Sequence, residues 1–138
     1  MHGTRYDLVT MFEAVLPGSA QKAFDEFVDL RTARLWLPGL KRAQVVRTDA
    51  NGRPLEVFYE FGEVLAYALV YAYDDAHKRV RWVPSSGVRD GVSGGATFED
   101  TPQGCRFTYS LESLRGRSED HEAQVARAFV QWMGSRTR

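Results

Sequence analysis

The sequence predicts an α+β domain of seven antiparallel strands, two short helices after the first strand and one long C-terminal helix. Three observations lead to this fold class. Apolar residues recur at helical spacing between residues 19 and 35 and again between residues 118 and 133. Residues 40 to 112 instead form short, strand-like runs separated by turn-forming residues. No repeat or linker interrupts this order, so residues 1–138 are predicted to form a single domain.

The N-terminal part is predicted to contain one strand and both short helices. The strand covers residues 5–16 and ends at Pro17-Gly18, which cannot continue a strand inside a sheet. Ser19 is expected to cap a helix over residues 20–28, whose apolar side chains share one face. A second helical segment, residues 30–35, is stopped by the Leu-Pro-Gly sequence that follows it.

The middle of the chain is predicted to be a meander of six strands. Their expected ranges are residues 41–48, 55–61, 64–73, 79–84, 87–100 and 105–112. Gly91, Gly94 and Gly95 are interpreted as β-bulges in the sixth strand of the domain. In the last strand the apolar face carries Phe107, Tyr109 and Leu111.

The strand over residues 64–73 has no polar face, because tyrosine and leucine alternate with alanine and valine. Two registers therefore stay open. If residues 75–78 form the loop, Tyr71 faces Trp82 and Tyr73 faces Val80, and the tyrosines point inward. A shift of one residue reverses this arrangement.

The C-terminal helix is predicted over residues 118–133, with Ser118 as its N-cap. Its apolar stripe consists of Val125, Ala128, Phe129, Trp132 and Met133. A stripe of this length must be buried, and the strands are the available partner.

Composition excludes several classes of function. Eighteen basic and eighteen acidic residues leave no net charge, which disfavours nucleic acid and anionic membranes as partners. No apolar run approaches the length of a membrane span. Cys105 is the single cysteine, so an internal disulfide and a cysteine-based metal site are excluded. Without a signal peptide at the N-terminus, the predicted location is the cytoplasm.

Four segments resemble the START-like (SRPBCC) superfamily, and within it the polyketide cyclase/dehydrase and lipid-transport family. They are VLPGSAQKAFDEFVDL at 15–30, LWLPGLKRAQVV at 35–46, YDDAHKRVRW at 73–82 and GCRFTYSLE at 104–112. The resemblance implies a helix-grip fold, in which a curved sheet wraps the long helix and encloses an elongated apolar cavity. The superfamily includes carriers, receptors, co-chaperones, cyclases and aromatases, so the fold leaves the function open.

Aromatic residues make up 12% of the chain. Those predicted to line a ligand cavity are Tyr59, Tyr67, Tyr71, Trp82, Phe98, Tyr109, Phe129 and Trp132. The alternative is that they simply fill the core. Several have a polar tip, which favours an amphipathic guest. No histidine pair or His-carboxylate spacing indicates a metal, and no cofactor is predicted.

Three functional hypotheses follow. The first is binding of a hydrophobic or aromatic small molecule, lipid-like or polyketide-like, between sheet and helix. The second is a cyclase or dehydratase in which a tyrosine hydroxyl or Arg81 polarises a carbonyl group and His121 moves a proton. The competing interpretation is that His121 lies at the surface or at the rim of the cavity and has no catalytic role. The third is a protein-interaction module that uses the strand over residues 64–73, compatible with a homodimer.

Overall fold

The structure is a computed structural model that describes residues 11–62, 65–85, 93–111 and 116–136, leaving aside the side chains of residues 116–122 and 136. The described chain forms seven strands and three helices. In chain order they are β1 (Met11–Leu16), α1 (Ala20–Val28), α2 (Leu30–Trp36), β2 (Leu40–Thr48), β3 (Pro54–Phe61), β4 (Leu65–Asp74), β5 (Arg79–Pro84), β6 (Gly94–Thr101), β7 (Gly104–Leu111) and α3 (Gly116–Arg136).

The strands form one antiparallel sheet in the order β1-β7-β6-β5-β4-β3-β2. The predicted α+β class is confirmed. Tyr71 pairs with Trp82 and Tyr73 pairs with Val80, which is the register that points the tyrosines inward. Ala72, on the opposite face of β4, is exposed. The cross-strand partners therefore fix the side of β4 that its sequence left undecided.

Two local predictions are wrong. Gly94 and Gly95 pair with Leu111 and Ser110 in a regular register, so the bulges expected there are absent, and the register shifts found in the described sheet lie between β2 and β3. Helix α3 begins at Gly116, so Ser118 lies inside the helix and is not its N-cap. Gly91 lies outside the described residues.

Helix α1 is held at its N-terminus by two side chains. The Ser19 hydroxyl accepts a hydrogen bond from the Lys22 amide at 3.1 Å, which confirms the predicted cap. The Asp100 carboxylate accepts one from the Ala20 amide at 2.8 Å. Because Asp100 lies near the end of β6, this second bond ties α1 to the sheet.

Helix α2 is capped by Asp29, which the sequence places only on the polar side of a helix. Its Oδ1 atom accepts a hydrogen bond from the Arg31 amide at 2.9 Å. The Arg31 guanidinium also bonds this carboxylate, and those hydrogen bonds lower the pKa of Asp29. Asp29 thus ends α1 and begins α2, which fixes the change of chain direction between the two helices.

Phe129 of α3 lies at the centre of the aromatic core and is fully buried. Its ring centroid lies 5.0 Å from those of Phe27 and Trp36 and 5.2 Å from that of Phe107. Val125 and Met133 of the predicted stripe are also buried, whereas the predicted members Ala128 and Trp132 are half-buried. The long helix is thus anchored in contact with both the short helices and the sheet. No helix in the described ranges is long and apolar enough to cross a membrane.

Replacing Phe129 with alanine should lower the free energy of unfolding by about 3–5 kcal/mol, since a large, fully enclosed ring is removed. The control is Phe58→Ala, because Phe58 is half-buried on the outer face of β3. Urea unfolding followed by circular dichroism measures both variants. Similar losses in the two variants would contradict the central position assigned to Phe129.

Candidate functional site

A cavity of about 80 Å³ lies beneath helices α1 and α2, against strands β3, β4 and β5. Its described lining residues are all uncharged. They are Phe27, Val28, Leu30, Ala33, Trp36, Leu37, Pro54, Val57, Tyr59, Phe61, Tyr67, Leu69, Tyr71, Tyr73, Val80, Trp82, Tyr109 and Val125. Such a wall offers apolar contact and a few hydrogen-bonding tips, with no fixed charge.

Tyrosine is concentrated around this cavity, whereas phenylalanine is divided between the cavity wall, at Phe27 and Phe61, and the core outside it. All five tyrosines that the structure describes line it. Four phenylalanines instead pack outside its wall, namely Phe24, Phe98, Phe107 and Phe129. The cavity wall is therefore richer in hydroxyl groups than the packed core beside it.

Two hydrogen bonds orient the tyrosines of β4. The hydroxyl oxygens of Tyr59 and Tyr71 lie 2.5 Å apart, and the Tyr73 hydroxyl donates to the Pro54 carbonyl oxygen at 2.5 Å. Burial raises the pKa of Tyr71 well above its ordinary value and raises the pKa of Tyr73 to about 12. Both phenols therefore stay protonated at neutral pH and act as hydrogen-bond donors or acceptors, and neither acts as a base.

Two tryptophans complete the polar tips of the wall. Trp36 ends α2 and Trp82 lies in β5, and both rings are stacked against Phe27, with centroids 5.9 and 6.1 Å from it. Among the described residues, neither indole Nε1 has a hydrogen-bond partner. Gly94 leaves room for Trp82, since a Cβ atom there would lie 3.1 Å from the indole ring and 2.5 Å from the Ser110 carbonyl oxygen.

A second, more open space of about 980 Å³, here called the outer groove, lies between α1–α2 and the β2–β3 hairpin. It shares Val28, Leu30 and Pro54 with the cavity wall. Arg53 in this groove pairs with Asp75 at 2.8 Å, and its guanidinium carbon lies 4.3 Å from the centroid of the Tyr73 ring. Only a thin apolar partition thus separates the cavity from a broad, polar opening.

Solved structures share this architecture. A START superfamily protein from Mycobacterium smegmatis matches with a TM-score of 0.72 at 12% identity, over 91% of this chain and 96% of that one. The Zhui aromatase/cyclase from Streptomyces sp. R1128 matches with a TM-score of 0.68 at 9% identity, over 95% and 96%. Major latex-like protein 151 from Panax ginseng gives 0.69 at 11%, over 93% and 98%. No family model matches the sequence, and no curated protein is significantly similar to it.

The chain has the START-like helix-grip fold. This confirms the fold that the sequence resemblance implied. At these identities the likeness concerns the fold, and the chemistry of the site has to be argued from the residues that line the cavity.

The helix-grip fold brings together five of the eight predicted site residues. Tyr59, Tyr67, Tyr71, Trp82 and Tyr109 line the cavity. The other three do not: Phe98 packs edge-on against Phe24, Phe129 lies in the aromatic core, and Trp132 donates through Nε1 to Glu26 at 3.4 Å. Ligand binding by any of these residues stays a prediction.

The residues predicted to carry acid-base chemistry are placed differently. Arg81 is exposed on the face of β5 opposite Trp82 and is not among the described lining residues, so the structure does not place it to polarise a carbonyl group of a guest in the cavity. His121 belongs to α3, but its side chain lies outside the described residues. Cys105 is fully buried, and burial raises the pKa of its thiol, as expected of a structural cysteine. The described residues contain no cluster of three or more side chains placed to hold a metal ion.

The sequence did not identify the helical half of the wall. Phe27, Val28, Leu30, Ala33 and Trp36 all line the cavity. Their apolar spacing was visible as the buried side of two short helices. It carried no signal that this side covers a void, because the placement of a helix over a sheet depends on contacts distant in sequence.

Raising the pH from about 10 to 12 should destabilise the protein. The pKa of Tyr73 is about 12 when folded against an ordinary value of 10.0, so the unfolded chain releases this proton first and the folded state loses stability as the pH rises. Below about pH 10 this contribution is fully present. Urea unfolding at several pH values should show a shallower decline for Tyr73→Phe than for the wild type, and identical slopes would contradict the assignment.

Proposed function

We propose that the protein binds a hydrophobic, ring-containing small molecule in the cavity between α1–α2 and the sheet. The observation that carries the proposal is the uncharged wall on which every described tyrosine is gathered. Burial of apolar ligand surface would supply most of the affinity, at ~25 cal/mol per Å². Polar groups of the wall would orient the guest. The single, buried cysteine is compatible with the cytoplasm as the site of action.

The size of the cavity adds a requirement. At about 80 Å³ it is smaller than the ~150 Å³ cavity that holds benzene in an engineered core. A ligand of several rings therefore requires the wall to open. The partition formed by Val28, Leu30 and Pro54 is the natural place for this, because the outer groove lies directly behind it. Movement of α2 away from the β2–β3 hairpin would join the two spaces.

The described wall favours binding over catalysis. An aromatase or cyclase needs groups that move protons, and neither a carboxylate nor a histidine is found among the described lining residues. The raised pKa values keep Tyr71 and Tyr73 neutral, which excludes them as bases at neutral pH and leaves their hydroxyls able to donate a hydrogen bond to a carbonyl group. The outer face of β4 also gives little support to an interaction module, since the large exposed apolar residues described by the structure lie elsewhere, on β1, α2, β2 and β5.

Filling the cavity should weaken binding while leaving the fold intact. Ala33→Leu adds a side chain at a lining position of α2, and Ala72→Leu makes the same change on the exposed face of β4. With 1,4-diethylbenzene as the probe, isothermal titration should show an affinity loss of at least about tenfold for Ala33→Leu and less than about twofold for Ala72→Leu. Equal affinities in the two variants would place the ligand outside the cavity.

Native mass spectrometry of protein purified from its own host provides the complementary test. A bound guest adds a discrete mass that organic solvent removes. The additional mass should be reduced in Ala33→Leu and retained in Ala72→Leu. Binding of neither this guest nor the aromatic probe by the wild-type protein would overturn the proposed function.

A further inference from the structure

Two hydrogen-bond donors of the cavity wall are buried and unpaired. Trp82 is 4% exposed and Trp36 is 9% exposed, and neither Nε1 atom has a partner among the described residues. In folded proteins most buried polar side-chain atoms are hydrogen-bonded. A buried indole N–H without a partner is therefore an exception that needs a physical reason.

The contrast with neighbouring tyrosines sharpens this point. Tyr59 and Tyr71 bond each other, and Tyr73 bonds the Pro54 carbonyl group, so these hydroxyls are satisfied within the protein. Trp132, the tryptophan outside the cavity wall, has its indole N–H bonded to Glu26. Both tryptophans whose indole nitrogens are unpaired lie in the cavity wall. A phenylalanine at either position would provide apolar contact without burying an unpaired donor.

Both indoles contact the same ring, and neither Nε1 atom is accessible to water in this structure, so pairing with a guest requires the opening of the wall described above. Phe27 is stacked against both indoles, with interplanar angles of 30° and 29°. The described cavity wall is uncharged, which leaves no counter-ion for a charged guest. The chemistry that satisfies two N–H donors in such surroundings is a neutral acceptor, such as a ketone, quinone, ester or ether oxygen.

We infer that Trp36 and Trp82 determine ligand specificity, and that the guest is a neutral ring compound with hydrogen-bond acceptor oxygens paired to the two indole N–H groups. The inference rests on the proposed function and narrows its ligand class. Pure hydrocarbons and acyl chains without a buried oxygen leave both donors unpaired and are disfavoured.

A pair of 1,4-disubstituted benzenes tests the inference. 1,4-Diacetylbenzene has two ketone oxygens, and 1,4-diethylbenzene has none. Trp36→Phe and Trp82→Phe should each raise the Kd for the diketone about 5- to 20-fold more than the Kd for the hydrocarbon. Trp132→Phe is the matched control and should change the two Kd values by the same factor.

Nuclear magnetic resonance on the wild-type protein keeps the test valid if a tryptophan variant fails to fold. The chain has three tryptophans and hence three indole N–H signals. The diketone should move the Trp36 and Trp82 signals downfield and leave that of Trp132 in place. The hydrocarbon should produce no such downfield shift, because it offers no acceptor.

The outcomes separate this inference from the function on which it rests. If the wild type binds neither probe and carries no guest from its own host, the proposed function fails. If both probes bind and the Kd ratio is unchanged in the two variants, the cavity binds ligands but the indoles do not select them. Indole signals that stay in place with the diketone bound would also overturn the inference, and would assign these donors to buried water or to an aromatic face.

Discussion

The ring of Phe27 lies where the aromatic core of this protein meets the wall of its cavity. Its centroid lies within 6.4 Å of six other aromatic rings, which belong to Trp36, Trp82, Phe98, Phe107, Tyr109 and Phe129. These rings come from α2, β5, β6, β7 and α3. Since α1 is fixed at its first turn by Ser19 and Asp100, Phe27 is held where sheet and helices meet.

Two kinds of interior meet at this ring. On one side, phenylalanines of α1, β6, β7 and α3 pack closely and are almost fully buried. On the other, tyrosines and tryptophans contribute to the wall of a cavity of about 80 Å³. The closely packed rings offset the contacts that are not made around this cavity. The close packing of the phenylalanine side thus stabilises the domain enough for the cavity on the other side to remain incompletely filled.

How far the sequence predicted these features depended on whether the signal was local. Alternation placed Phe107, Tyr109 and Leu111 on the inner face of β7, and the four-residue turn before β5 gave the register of Tyr71 against Trp82. Both follow from neighbouring residues. The cap by Asp100, the covering of the cavity by Trp36 and the exclusion of Phe98 from its wall depend on tertiary contacts. The periodicity of the sequence does not predict which inward-facing aromatic side chains pack against another ring and which line the cavity.

The chemistry of the wall sets the kind of selectivity this fold can provide. Without a fixed charge among the described lining residues, attraction to the proposed guest would come mainly from apolar contact, which discriminates poorly between rings of similar size. A buried donor without a partner discriminates far better, because a guest that lacks an acceptor leaves the desolvation penalty in place. Two unpaired indoles held against one phenylalanine are therefore better suited to rejecting wrong guests than to increasing affinity for all guests.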